Sequence, residues 1–154
     1  MNNKYAFMQY VFAEMSKFQN TDDLDNFCAR LLPEIEALCE KLSKSRKNCV
    51  YRFIKEAPGT WTEVSVPIEK IKVGKINSRV NPILERHGHH LARIVQDPEA
   101  IADDEFKSQG EIPPGLSTLI AKHEGDHFRL VDGNHRAIRM GMNGVAKFTL
   151  LTPD

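Results

Sequence analysis

The run Phe128-Arg-Leu-Val-Asp-Gly-Asn-His-Arg-Ala-Ile-Arg139 gathers the residues of this chain best suited to hold an anion. It reads as an apolar strand, a tight Asp132-Gly133 turn and a short helix opening on Asn134, His135 and Arg136. A strand that feeds a helix through a glycine turn aims several backbone N–H groups at one point. Those donors lie at the positive end of the helix dipole, where phosphate binds readily. Arg136 adds a permanently charged fork that matches phosphate, and Arg139 lies one turn further along. Asn134 or Asp132 is expected to cap the helix, and Gly133 removes the side chain that would hold a ligand away. The same residues also fit an ordinary strand-turn-helix with solvated arginines.

The segment Val131-Asp-Gly-Asn-His-Arg-Ala137, followed by Gly144 and the strand Ala146–Leu151, resembles the signature of the ParB/sulfiredoxin superfamily. The likeness runs upstream in order. Val64–Ile71 resembles the family's opening strand, Asn81–Asp97 its first helix, and Glu111-Ile-Pro-Pro114 with a strand at Ser117–Lys122 the approach to the signature. It covers about residues 61–154 and leaves the first 60 unexplained. The resemblance implies that Gly133, His135 and Arg136 hold nucleotide phosphates; with Asn134 between them they form the candidate site for ATP or CTP. It also implies that polar residues of the first helix reach across to the same phosphates, which falls on Arg86, His89 and Arg93. Phosphoryl transfer or nucleotide hydrolysis mainly needs positioning and charge stabilisation. His135 and Asp132 are the catalytic candidates, with Asp132 also the carboxylate for a magnesium ion brought in by nucleotide.

Departures from the family pattern narrow the chemistry. Sulfiredoxin carries a nucleophilic cysteine where this chain has Asn134, and a carboxamide cannot form the sulfur intermediates of sulfinate reduction. The three cysteines, Cys28, Cys39 and Cys49, all lie outside the matching region. ParB partition proteins continue into a further nucleotide motif and a helix-turn-helix, so a sliding DNA clamp is not expected here. Free-serine kinases of the superfamily use a glutamate soon after the opening strand, and Lys72-Val-Gly-Lys75 has no carboxylate. Two alternatives to the nucleotide reading stay open. One is a DNA- or RNA-binding or nuclease-type protein using the same cleft, since Trp61–Arg93 holds six Lys or Arg against three Glu. The other is a non-catalytic interaction module acting through the early helices.

These residues need elements to position them. Pro82 to Val95 reads as one helix, with Ile83, Leu84, His87, Leu91, Ile94 and Val95 as its buried stripe. Arg86, His89 and Arg93 lie three and four residues apart on a neighbouring face. Gly88 inside that helix costs about 1 kcal/mol relative to alanine, which a close backbone approach would justify. All six histidines fall between His87 and His135, but His87 and His89 point about 200 degrees apart on a helix. Pairs such as His87 with His90 or His123 with His127 fall short of a closed metal site, so no structural metal is expected. Asp97–Gly110 reads as an acidic connection with a helical turn or two, anchored by Ile101 and Phe106. Asp103, Asp104 and Glu105 could supply a general base or metal ligand, or simply face solvent.

Upstream, Tyr5, Met8, Val11, Phe12 and Met15 form an apolar helical stripe. Thr21-Asp22-Asp23 caps a second helix reaching about Lys44, with Leu24, Phe27, Cys28, Leu31, Ile35, Leu38 and Leu42 inward and Pro33 as a break. These helices serve either core packing or a homodimer surface. Val50–Ile54 is expected to be a short strand, followed by the Pro58-Gly59 turn and a strand near Trp61–Val66. Glu124-Gly125-Asp126 is expected to be a hairpin turn.

Composition bounds the rest. The chain has 154 residues, 21 basic and 21 acidic, so nothing global demands a polyanion partner and nucleic-acid binding is expected to be weak. Unpaired cysteine spacing, no membrane-length apolar run and no signal-peptide pattern imply a soluble cytoplasmic protein without a membrane partner. The expected architecture is α+β, ParB/sulfiredoxin-like, with a small mixed sheet over 61–154 and a helical N-terminal extension over 1–60.

Overall fold

Ile71, Ala121, Leu130 and Leu150 are buried side chains on four different strands, and they form one side of the same apolar core. The computed structural model describes residues 49–107 and 119–154, together with Asn3, Ala6, Phe7, Gln9, Tyr10, Val11, Glu34, Ala37, Glu40 and Lys41. In chain order these give helix α1 (Cys49–Glu56), strand β1 (Trp61–Pro67), a 3-10 turn (Ile68–Lys70) and β2 (Ile71–Lys72). Helices α2 (Asn81–Arg86), α3 (Leu91–Ile94) and α4 (Pro98–Ala102) follow, then a second 3-10 turn (Asp104–Phe106). The chain continues with β3 (Leu119–Glu124), β4 (His127–Asp132), α5 (Asn134–Met142) and β5 (Lys147–Pro153).

The architecture is α+β with a mixed five-stranded sheet in the order β1-β5-β3-β4-β2. β3 and β4 are antiparallel, whereas β2 runs parallel to β4 and β5 parallel to β3. The hairpin between β3 and β4 turns through Gly125 and Asp126, with Glu124 opposite His127. Gly125 has φ +59, the conformation a glycine-first two-residue connection requires.

Two compact units divide the chain, one of residues 1–62, 110–118 and 153–154, the other of 63–109 and 119–152. In the first, Tyr51 of α1 packs edge-on against Tyr10 at 4.7 Å between ring centroids, and the buried Trp61 indole N–H donates to Asn3. Val50, Tyr51 and Ile54 are the buried residues of α1. Val50–Ile54 is therefore helical, not the expected strand: its apolar side chains recur at helical spacing, while Arg52 between them is exposed. Asn3, Ala6, Phe7, Gln9, Tyr10 and Val11 are helical, as are Glu34, Ala37, Glu40 and Lys41. The other residues of the two early stripes, Tyr5, Met8, Phe12 and Met15 and those from Leu24 to Leu42, lie outside the described residues, as do Pro33, Cys28, Cys39 and Glu111–Thr118.

In the second unit the expected single helix from Pro82 to Val95 is two short ones. Gly88 at φ +58 and His89 at φ +63 both leave the right-handed region. Gly88 N–H donates to Glu85 at 3.0 Å and His89 N–H to Leu84 at 2.8 Å. Those two bonds make the Schellman closure, with glycine at the left-handed position. Gly88 is thus the stop signal of α2, not a tolerated interior residue. Ile83, Leu84, Leu91 and Ile94 are buried as the apolar spacing predicts. In the acidic connection Phe106 is buried, but Ile101 is exposed and Ala100 packs inward in its place. Among the described residues no helix is long and apolar enough to cross a membrane.

Candidate functional site

The site starts where β4 ends. Gly133 stands at φ +89, a left-handed conformation that turns the chain directly into the nine-residue helix α5. A Cβ on Gly133 would lie 2.5 Å from Leu119 Cδ2 and 2.6 Å from Arg136 Nη2, so a larger residue would displace both side-chain ends as well as strain the backbone. Arg136 folds back over the turn and pairs with Asp132 at 3.7 Å, both side chains being nearly buried. Gly133 itself occupies the cap position, and no described side chain caps the helix. The expected capping role of Asn134 or Asp132 is therefore corrected. Asn134 is the first helical residue, one position too late to bond the N–H groups ahead of it.

Asn134 instead reaches sideways. Its Oδ1 accepts the Gly74 N–H at 2.8 Å. Gly74 comes so close that a Cβ there would sit 2.9 Å from the Leu130 carbonyl oxygen and 3.3 Å from Asn134 Nδ2. The loop after β2 is thereby pinned to the start of α5. Three residues on, Asn77 Oδ1 accepts the N–H groups of Arg79 and Val80, each at 3.1 Å, and its Nδ2 donates to Glu105 Oε1 at 2.9 Å.

Glu105 is the hub of the arrangement. Its Oε1 lies 2.9 Å from His135 Nε2, and its Oε2 accepts from Arg79 at 3.1 Å. The His135 hydrogen bond, with Arg79 in support, holds the Glu105 carboxyl below the usual glutamate range, so it is ionised at neutral pH. Arg79 also grips Asp103 with both guanidinium nitrogens, at 2.8 and 3.0 Å. The acidic connection thus reaches the glycine turn through one carboxylate. Glu105 was legible as a general-base candidate; its pairing with His135 was not, because the two are 30 positions apart.

Of the other expected phosphate contacts, Arg86 and His89 have partners of their own. With the helix broken at Gly88, Arg86, His89 and Arg93 do not share one helix face. Arg86 bonds Asp97 at 2.9 Å and Glu99 at 2.7 Å. Asp97 also accepts the Glu99 N–H and meets His87 Nε2 at 2.6 Å; His87 first, then the backbone bond, holds its pKa at about 2. His89 Nδ1 lies 3.1 Å from the Val73 carbonyl oxygen, and Arg93 is exposed. Among the described residues no three His, Cys, Asp or Glu side chains converge on a metal position. Arg139, one turn beyond Arg136, keeps a buried Nη1 with no hydrogen-bond partner among the described residues.

The chain matches no family model, no curated protein and no solved structure.

Proposed function

We propose that the chain is a nucleotide-binding protein of ParB/sulfiredoxin type that takes the phosphates of ATP or CTP at the start of α5 and transfers or hydrolyses a phosphoryl group there. The observation that carries this reading is a nine-residue helix opening at a left-handed glycine, uncapped by any described side chain, with His135 and Arg136 in its first turn. Ala137 N–H bonds the Gly133 carbonyl at 2.9 Å as the helix begins, and the opening turn of such a helix is where an anion binds. Arg136 would exchange Asp132 for a phosphate oxygen. Asp132, beside the turn, would then hold a magnesium ion carried by the nucleotide, a role that needs one or two carboxylates.

The Glu105–His135 pair supports a catalytic role. An ionised carboxylate on Nε2 fixes the neutral imidazole with its proton there, leaving Nδ1 as the acceptor. Such a nitrogen can take the proton of an attacking water or hydroxyl, with Glu105 as its positioning residue. The mixed sheet and the strand-glycine-helix order are consistent with the family resemblance.

The test is a thermal-shift titration with ATP and CTP, each with and without magnesium. Ligand at a hundredfold excess over Kd stabilises the folded state by about 2.7 kcal/mol, a shift of several degrees. His135→Ala is expected to shrink the shift at equal nucleotide concentration. No shift with any nucleotide, or an undiminished shift in the variant, would remove the reading.

A further inference from the structure

The strand register puts like charges side by side in a row that the nucleotide reading does not use. Lys122 on β3 stands opposite Arg129 on β4, and Arg129 stands beside Lys72 on β2. Lys72 in turn bridges to His90 at the edge of the sheet. Directly paired residues share a sheet face. The preceding or following residues, Ala121, Leu130 and Ile71, belong to the buried core, so the basic row occupies the opposite, outer face. Adjacent strands are about 4.8 Å apart, which spreads the three cations over roughly 10 Å in a line.

Like charges directly opposite one another destabilise a sheet. Glu124, at the end of β3, serves two of the three, accepting from Lys72 at 3.3 Å and from Arg129 at 2.9 Å. Lys122 is exposed and has no carboxylate partner among the described residues. Two imidazoles flank the row. His127 pairs with Glu124 across the hairpin, and its ring meets that of His90 at 5.2 Å, steeply tilted. Burial, together with the surrounding Arg93, Lys72, His127 and Arg129, pushes the His90 pKa down, which keeps that ring neutral and available for stacking.

We propose that the outer face of β3, β4 and β2 binds single-stranded nucleic acid, with Lys122, Arg129 and Lys72 along its phosphates and His127 and His90 against its bases. Cations in a line beside flat rings are the two parts of single-strand recognition, a charged track and a stacking platform. An acidic peptide would use the cations but not the rings, and a duplex buries its bases. This surface is separate from the start of α5 in the residues it uses and stands independently of the nucleotide reading.

The experiment is fluorescence anisotropy with labelled oligo(dT) and oligo(U), titrated with the whole chain at several salt concentrations. Weak binding at about 50 mM salt, lost by about 0.2 M, is expected. The Lys122→Gln/Lys72→Gln variant should raise Kd by roughly tenfold and flatten the salt slope by about 0.7 for each phosphate contact removed. His127→Ala should weaken binding by roughly fivefold or more at unchanged salt slope, the signature of lost stacking. Lys122→Gln alone, at an exposed position, serves as the variant certain to keep the fold and should still weaken binding measurably. No binding at low salt overturns the proposal, as does binding indifferent to these substitutions. Tighter binding of a duplex or of poly-glutamate would assign the face to that partner instead. Oligonucleotide affinity lost in His135→Ala but kept in the lysine variants would move the nucleic acid to the α5 site.

Discussion

Glu105 and His135, 2.9 Å apart, join the acidic connection after α4 to the first turn of α5. Neither side chain is more than about a quarter exposed, so the pair is shielded but within reach of a ligand. Glu105→Gln keeps the shape and removes the charge that fixes the imidazole. We predict that this variant binds nucleotide with little change in Kd but turns it over at least tenfold more slowly, as loss of general-base positioning would require. A steady-state turnover assay beside a binding titration separates the two quantities. Equal losses in binding and turnover would make Glu105 a structural residue only.

Asn134→Ala removes the acceptor of the Gly74 N–H, a part-buried hydrogen bond. It is expected to cost about 1 kcal/mol, whereas Asn134→Asp keeps an oxygen in place and should cost less. Urea unfolding of the three proteins gives the comparison. If alanine and aspartate are equally harmless, the loop after β2 is not held by this bond.

Two glycines in the same conformational region provide an internal control. Gly125 and Gly133 both have positive φ, but a Cβ at Gly125 meets nothing within 4 Å while one at Gly133 strikes Leu119 and Arg136. Gly125→Ala is expected to cost the backbone term alone, about 1–2 kcal/mol. Gly133→Ala must add a displaced side chain and should cost at least about 1 kcal/mol more. Parallel denaturation curves decide the order, and equal costs would show that the turn is looser than its packing implies.

Acid should weaken the fold through identifiable carboxylates. Arg129, with Lys72 in support, holds Glu124 at about 2, against an ordinary value of 4.5. A depressed carboxylate pKa gives stability that is complete above the ordinary value and is lost as pH falls toward the folded one. The melting temperature should therefore drop between about pH 4.5 and about pH 2, and less steeply in Glu124→Gln. Identical pH profiles for the two proteins would show that the Glu124 ion pairs contribute nothing.

Local patterns in the chain carried the elements that depend on local chemistry. The hairpin at Gly125, the strand from Trp61 and the strand-glycine-helix at Gly133 all follow from turn residues and alternation. Two departures from that pattern have local causes too. Apolar residues at Val50–Ile54 are too few to separate a strand from a helix by period, and Gly88 within an apolar stripe reads as a cost although its backbone bonds make it a terminator. The site was half legible. Gly133, His135 and Arg136 lie together in sequence, but Gly74, Asn77 and Glu105 arrive from other segments through tertiary packing. Asn77-Ser-Arg79 is a recognisable polar turn, yet nothing local says that its amide meets Glu105.

The most direct test of the phosphate site is calorimetric affinity for ATP and CTP in the wild type, Asn134→Asp and Asn134→Ser. Aspartate preserves the acceptor for Gly74 but sets a negative charge where phosphate is proposed to bind. At an effective dielectric near 20 and about 4 Å, like charges repel by roughly 4 kcal/mol, a figure that solvent exposure reduces. The account predicts at least tenfold weaker binding for Asn134→Asp and near wild-type binding for Asn134→Ser, with all three proteins folded. Equal affinities across the three, or no nucleotide binding by the wild type, would contradict it and leave the glycine turn a purely structural feature.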